Sequence, residues 1–79
     1  MLGSMTLLEK RDHELVYAFS EVKDVDDGRA VVNLNNISES KITEWPKHKE
    51  NRMSAGLVFG KLLRLCKNGE RPEKVFFAS

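Results

Sequence analysis

The side chains with the most reactive chemistry in this sequence are one cysteine, Cys66, and two histidines, His13 and His48. A thiol beside an imidazole would supply a catalytic nucleophile, and a cluster of such side chains would bind Zn²⁺. The three residues lie far apart in the sequence, and their spacing does not resemble that of a zinc site. Cys66 falls within an apolar helical pattern and is predicted to be a small buried side chain. His13 lies in a run of charged residues and is predicted to be solvated.

Three aspartates, Asp24, Asp26 and Asp27, are the remaining candidates for a cation site. They lack the spacing and the terminal glutamate of an EF-hand loop, so a turn explains them better. The sequence also shows no base beside a nucleophile, no pair of catalytic carboxylates and no glycine-rich phosphate loop. We therefore expect a protein that is not an enzyme, with no metal site and no cofactor.

Positive charge is concentrated in one segment of the chain. Between residues 47 and 68 there are six Lys or Arg and a single acid, Glu50. Such side chains contact phosphates, and a helix fits the major groove of DNA, so a nucleic-acid-binding domain is one hypothesis. The sequence pI of about 7.9 is lower than that of a strongly basic binding domain, and a solvated basic face is equally consistent. The predicted phosphate contacts are Lys49, Arg52, Lys61, Arg64 and Lys67.

A second pattern in the same segment indicates a different function. At 100° per residue, an outward line of side chains lies opposite the apolar stripe of the helix. Gly56 and Gly60 are one turn apart on that side, and each costs about 1 kcal/mol relative to alanine within a helix. Either a partner approaches this bare backbone, or the glycines relieve crowding against the chain's own loops. Because an exposed mixed patch is typical of an interface, the predicted partner-binding residues are Met53, Gly56, Leu57, Gly60, Lys61 and Arg64.

Both sets of residues are positioned by a helix that the apolar pattern predicts from about Lys49 to Lys67. Its core stripe recurs at i, i+3, i+4, i+7 and i+11 and consists of Ala55, Val58, Phe59, Leu62 and Cys66. Asn68-Gly69 predicts the C-terminal cap, and Pro72 prevents the helix from continuing.

Alternating apolar residues predict a β-hairpin ahead of this helix, with strands in the segments 14–25 and 29–34. Asp26-Asp27-Gly28 supplies the turn between them. A three-residue loop pairs Val22 with Val32 and keeps charged residues off the apolar face, so this register is predicted. The shared apolar face would then consist of Val16, Ala18, Val22, Ala30, Val32 and Leu34.

Shorter elements are predicted on either side of the helix. The segment 41–45 fits either a third strand containing Ile42 or a single helical turn that Pro46 ends. Residues 73–79 alternate briefly and predict a final strand. Trp45 is the aromatic residue most readily assigned to a binding surface, although a lid over one end of the core is equally consistent.

Together these elements predict a single α+β domain, in which an antiparallel β-hairpin, extended to three or four strands, packs on one long C-terminal α-helix followed by a short strand. Met1-Leu2-Gly3-Ser4 precede a second methionine and are expected to be vector-derived, so the domain is assigned to residues 5–79. A chain of 79 residues has a small core, and one cysteine excludes an intrachain disulfide. Oligomerisation is the remaining way to add stability.

Charge and hydropathy narrow the choice of partners. Residues 1–37 carry four Lys or Arg and seven Asp or Glu, a net charge of −3, whereas residues 38–79 carry nine and five, a net charge of +4. This asymmetry fits either an anionic partner or two halves that face each other. No segment approaches the roughly 18 apolar residues of a membrane span, so no membrane contact is expected. The free thiol indicates a cytoplasmic location.

We therefore expect a small protein-binding module, an inhibitor or adaptor of a larger protein machine, that uses the outer face of the basic helix. A homodimer formed through the same face is an alternative. The second hypothesis is a nucleic-acid-binding regulatory domain that docks the same helix on phosphates.

Overall fold

A computed structural model describes residues 2–21, 28–47 and 49–78 of the chain. The strands are β1 (Leu2–Lys10), β2 (Glu14–Glu21), β3 (Gly28–Asn33), β4 (Lys41–Glu44) and β5 (Lys74–Ala78). A single 3-10 turn at Ile37–Glu39 precedes β4, and the helix α1 spans Lys49–Lys67. The predicted helix and the predicted final strand are therefore confirmed. In the segment 41–45, Lys41–Glu44 form the predicted additional strand, which is β4, rather than a helical turn.

The strands form one antiparallel sheet in the order β4-β3-β2-β1-β5. The helix α1 connects the two edge strands, so it crosses one face of the sheet between them. A helix of this length is about 28 Å long, which is enough to cross five strands spaced about 4.8 Å apart. The predicted α+β fold is confirmed, with five strands in the described residues instead of three or four.

The strand that the sequence analysis did not identify is β1, which lies between β2 and β5. Its pairing with β2 shifts between Leu7 and Glu9, so Leu8 occupies a β-bulge. A bulge interrupts the two-residue alternation by which a strand is recognised in a sequence. Of the residues predicted to be vector-derived, Gly3 and Ser4 pair with both β2 and β5, and Leu2 pairs with β5. Their vector origin stays a prediction.

The register of the β2–β3 hairpin differs from the predicted one. Leu15 pairs with Val32 and Tyr17 pairs with Ala30, so the predicted partner of Val32 was wrong. Val22 itself and the predicted turn residues Asp26 and Asp27 lie outside the described residues. The observed register directs the larger apolar side chains of β2 towards α1, where their burial removes more area from water than valine and alanine would.

The core lies between this face of the sheet and α1. The whole predicted stripe of the helix is buried, including Cys66, whose assignment as a small buried side chain is confirmed. The strands contribute Met5, Leu15, Tyr17, Phe19, Ala30, Val32 and Val75 to the same cluster. Burial of this stripe against the sheet determines which side of α1 faces away from the protein.

The C-terminus of α1 ends in the predicted glycine cap. Gly69 has a φ angle of 88°, in the left-handed region that glycine adopts without strain. The N–H of Gly69 donates to the carbonyl of Cys66 at 3.1 Å, and the N–H of Glu70 donates to the carbonyl of Leu65 at 3.0 Å. This pair of bonds is a Schellman motif, which satisfies carbonyls that the helix would otherwise leave unpaired.

Candidate functional site

The six predicted partner-binding residues lie together on the side of α1 opposite the core stripe, and we call them the outer helix face. They are Met53, Gly56, Leu57, Gly60, Lys61 and Arg64, and all six are exposed. The side chain of Met53 is 69% exposed and that of Leu57 is 50% exposed. Two large apolar side chains, one turn apart, are therefore exposed on α1, the helix whose opposite side packs in the core.

The glycines of this face leave the helix backbone open. A Cβ atom added at Gly56 or Gly60 would have no heavy atom within 4 Å outside its own stretch of helix. The interpretation that these glycines relieve crowding against the chain's loops is therefore wrong for the described residues. Within the described residues, no packing contact offsets the cost of these two glycines in helix stability.

Five of these residues line a shallow, open groove of about 370 Å³: Gly56, Leu57, Gly60, Lys61 and Arg64. Its surface combines bare backbone, one apolar side chain and two cationic side chains. Small-molecule sites are concave and bury most of the ligand surface, which an open groove of this kind does not do. The shape fits a segment of polypeptide better than a small ligand.

Two of the five residues predicted to contact phosphate are hydrogen-bonded to backbone carbonyls. The guanidinium of Arg52 donates to the carbonyl of Pro46 at 2.8 Å and to the carbonyl of Lys47 at 3.1 Å. The ammonium of Lys61 donates to the carbonyl of Phe76 at 3.1 Å, which links α1 to β5. These two side chains therefore stabilise the fold through hydrogen bonds to other segments of the chain.

The remaining three cationic residues, Lys49, Arg64 and Lys67, are exposed along α1. Among the described residues, the side chain of Arg64 makes no hydrogen bond or ion pair. Arg64 and Lys67 also lie in the last turn of the helix, where positive charge interacts favourably with the helix dipole. The favourable interaction with the helix dipole therefore explains part of the positive charge of α1 without a partner.

Of the residues considered for chemistry, Cys66 and His13 lie in the described part of the chain, and His48, Asp24, Asp26 and Asp27 lie outside it. Within residues 2–21, 28–47 and 49–78, no three His, Cys, Asp or Glu side chains are close enough to share a metal ion. Burial raises the pKa of the Cys66 thiol, an effect that Arg71 partly opposes and Glu70 reinforces. A raised thiol pKa disfavours the thiolate, the form that acts as a nucleophile.

The structure also exposes a mixed apolar and polar surface that was not predicted from the sequence. It lies on the side of the sheet that faces away from α1, and we call it the open sheet face: Ser4, Thr6, Val16, Ala18, Ser20, Arg29, Val31, Lys74 and Phe76, with Leu8 in the adjoining bulge. Leu8 is 56% exposed and Phe76 is 61% exposed, whereas the β2 and β3 residues of this face are partly buried. The alternation in β2, which is apolar on both sides, is the sequence signal for such a surface.

Comparison with protein-family models, with curated proteins and with solved structures gave no match to this chain. In the described part of the chain, no helix is both long enough and apolar enough to cross a membrane.

Proposed function

We propose that this chain is a small non-enzymatic protein-binding module, an inhibitor or adaptor of a larger protein machine, and that it binds its partner through the outer helix face. The observation that supports this function most directly is the pair of glycines with nothing packed on them, beside two exposed apolar side chains. Burial of Met53 and Leu57 by a partner would offset the helix stability that Gly56 and Gly60 cost. We place this activity in the cytoplasm, where a free thiol such as Cys66 stays reduced.

The partner segment that fits this face is an amphipathic, acidic helix. Glycines one turn apart let a second helix approach the backbone closely, as in helix-in-groove recognition. The apolar side of such a helix would cover Leu57, and its carboxylates would meet Lys61 and Arg64. The described residues of α1 from Gly56 to its end carry no acid, so the charge of the face selects against basic partners.

Nucleic acid is the alternative partner for the same basic helix. Phosphate recognition would draw on Lys49, Arg52, Lys61, Arg64 and Lys67. Two observations weigh against it. Arg52 and Lys61 already donate to backbone carbonyls, and Met53 and Leu57, which have no role on phosphates, lie among the cations.

The test is a selection from a displayed library of helical peptides of the same length as α1. Peptides would be selected on the wild-type protein and counter-selected on the Leu57→Asp variant. We expect enriched sequences with apolar residues at i, i+3, i+4 and i+7 flanked by Asp or Glu. Fluorescence anisotropy of the synthesised peptides then measures the dissociation constant.

Binding of these peptides should weaken at least about 10-fold in Leu57→Ala, because buried apolar anchors carry most interface energy. It should also weaken in Gly60→Leu, whose side chain fills the groove. Leu8→Ala is the matched control, since Leu8 is a similarly exposed leucine on the opposite surface. Peptides that bind Leu57→Asp as well as wild type, or a selection without enrichment, would contradict the proposal.

Duplex DNA is the probe for the alternative. Binding to DNA that falls steeply with salt, and whose salt dependence flattens in Lys61→Ala and Arg64→Ala, would establish phosphate recognition instead. In that case Leu57→Ala would leave affinity for DNA unchanged.

A further inference from the structure

The open sheet face is the second large surface of this protein, and no described element covers it. An antiparallel sheet with one solvated face normally directs polar side chains to water. Here the centre of that face consists of Val16 and Ala18 on β2 with Val31 beside them on β3. Leu8 and Phe76, both more than half exposed, lie towards β1 and β5. Exposed apolar side chains among polar ones are typical of an interaction surface.

Residues that pair across neighbouring strands form rows on this face, and the rows end in charged residues at the edges of the sheet. One row of paired residues begins with Lys74 on β5 and passes through Thr6 and Ala18 to Arg29 and then Glu44 on β4. The next row begins with Glu9 on β1 and ends with Lys41 on β4. The first row therefore has the cation Lys74 at its β5 end and the anion Glu44, beside Arg29, at its β4 end, whereas the second row has the anion Glu9 on β1 and the cation Lys41 on β4.

We propose that the open sheet face is a homodimer interface, in which a second copy of this chain packs its own open sheet face on the first. The two copies are related by a two-fold axis parallel to β2, the central strand of five. A rotation about this axis exchanges the two edges of the sheet. It stacks Val16 and Ala18 of one copy on the same residues of the other.

The charges at the edges complement each other in this arrangement. Lys74 of one copy faces Glu44 of the other, and Glu9 of one copy lies near Lys41 of the other. Sheets that pack face to face are rotated by about 30°, which displaces residues at the edge by about 5 Å and stays within reach of a lysine side chain. The Lys74 ammonium already lies over this face, 5.2 Å from the centre of the Phe76 ring.

The area of the face is sufficient for a specific dimer. Five strands spaced about 4.8 Å apart and about six residues long give a face of about 24 by 20 Å, or about 1,000 Å² for the two copies. A specific interface needs about 1,000 Å² or more in total. For a domain with a small core and no intrachain disulfide, dimerisation adds stability.

The dimer would be a four-layer assembly with the two sheets inside and the two α1 helices outside. Both outer helix faces would then stay free, so each dimer would present two partner-binding surfaces that point away from each other. A dimer built on the outer helix face would instead bury both of these partner-binding surfaces.

The test is sedimentation equilibrium of the wild-type chain and of charge variants over a range of protein concentrations. We expect a wild-type dimer whose dissociation constant rises at least about 10-fold in Lys74→Glu and in Glu44→Lys, because like charges then face each other. The double variant Lys74→Glu/Glu44→Lys should recover most of the affinity. Recovery cannot come from a loss of folding, and circular dichroism checks that each variant is folded.

Val16→Glu is the stronger disruption, because its two carboxylates would meet at the axis. Leu57→Glu is the matched control on the outer helix face and should remain a dimer. A wild-type chain that is monomeric at all concentrations, or a dimer that persists in Lys74→Glu and dissociates in Leu57→Glu, would overturn the proposal. Peptide binding to the monomeric Val16→Glu variant tests the outer helix face separately, so either proposal can fail without the other.

Discussion

The two faces of the sheet are built from alternate residues of the same strands, and on the central strand β2 they differ in the size of their side chains. On the covered face, β2 contributes Leu15, Tyr17 and Phe19, which are almost completely buried. On the open sheet face, the same strand contributes Val16 and Ala18, which are partly buried. Larger side chains lose more contact with water when covered, so α1 packs where they lie. The smaller side chains of β2 leave room at the centre of the open sheet face for a second sheet to pack.

Replacement of neighbouring residues on β2 is the most direct test of the difference in burial between the two faces. Leu15→Ala removes a fully buried side chain and should lower the free energy of unfolding by about 2–5 kcal/mol. Val16→Ala should lower it by less than half as much at concentrations where the chain is monomeric. Urea denaturation measures both, and equal losses would mean that the two faces are covered alike.

The next largest expected effect is the loss of stability when the phenol of Tyr17 ionises. It concerns only the face of the sheet that α1 covers. Its hydroxyl donates to the carbonyl of Pro72, and the side chain is fully buried. Burial raises the pKa of Tyr17 to about 12; Cys66 adds to this effect and Arg71 opposes it. The folded state holds the proton more tightly than the unfolded state, whose tyrosine pKa is about 10.

The stability that Tyr17 contributes is therefore complete below about pH 10 and is lost as the pH rises towards 12. The loss should amount to about 2–3 kcal/mol, since each unit of pKa shift corresponds to about 1.4 kcal/mol. Absorbance follows the ionisation directly, because the chain has one tyrosine. Tyr17→Phe is the control, and the idea fails if this variant shows the same loss of stability over that pH range.

Replacement of glycine by alanine compares Gly28 on β3 with Gly60 on the outer helix face. In Gly28→Ala the new Cβ would lie 2.8 Å from the carbonyl oxygen of Glu44, so we expect a loss of about 1–3 kcal/mol. In Gly60→Ala it would meet nothing within 4 Å, so we expect a gain of about 1 kcal/mol from helix propensity alone. Thermal unfolding monitored by circular dichroism measures both. A loss of stability in Gly60→Ala would indicate that something packs on the outer helix face.

The elements whose signals are local could be predicted from the sequence. The helix α1 has the predicted ends because its apolar stripe, its glycine cap and the following proline all act within a few residues. The exposure of Met53 and Leu57 follows from the same periodicity, since a helix that buries one stripe must expose the opposite side.

Elements whose signals depend on distant partners could not be predicted. The strand β1 was missed because the bulge at Leu8 interrupts its alternation, and its position inside the sheet, between β2 and β5, depends on pairing with β5, which lies at the other end of the chain. The hairpin register was wrong because both faces of β2 are apolar, and the hairpin alone does not indicate which face a helix will cover.

The sequence by itself determined the α+β class, the position and ends of α1, and the residues that its outer surface presents. Only the tertiary structure decided that Arg52 and Lys61 bond to backbone carbonyls, that no described element packs on Gly56 and Gly60, and that a mixed apolar and polar sheet face lies open on the opposite side. The physical reason is the range of the interactions. Helix periodicity and capping act over a few residues, whereas strand register and burial depend on contacts between segments far apart in the chain.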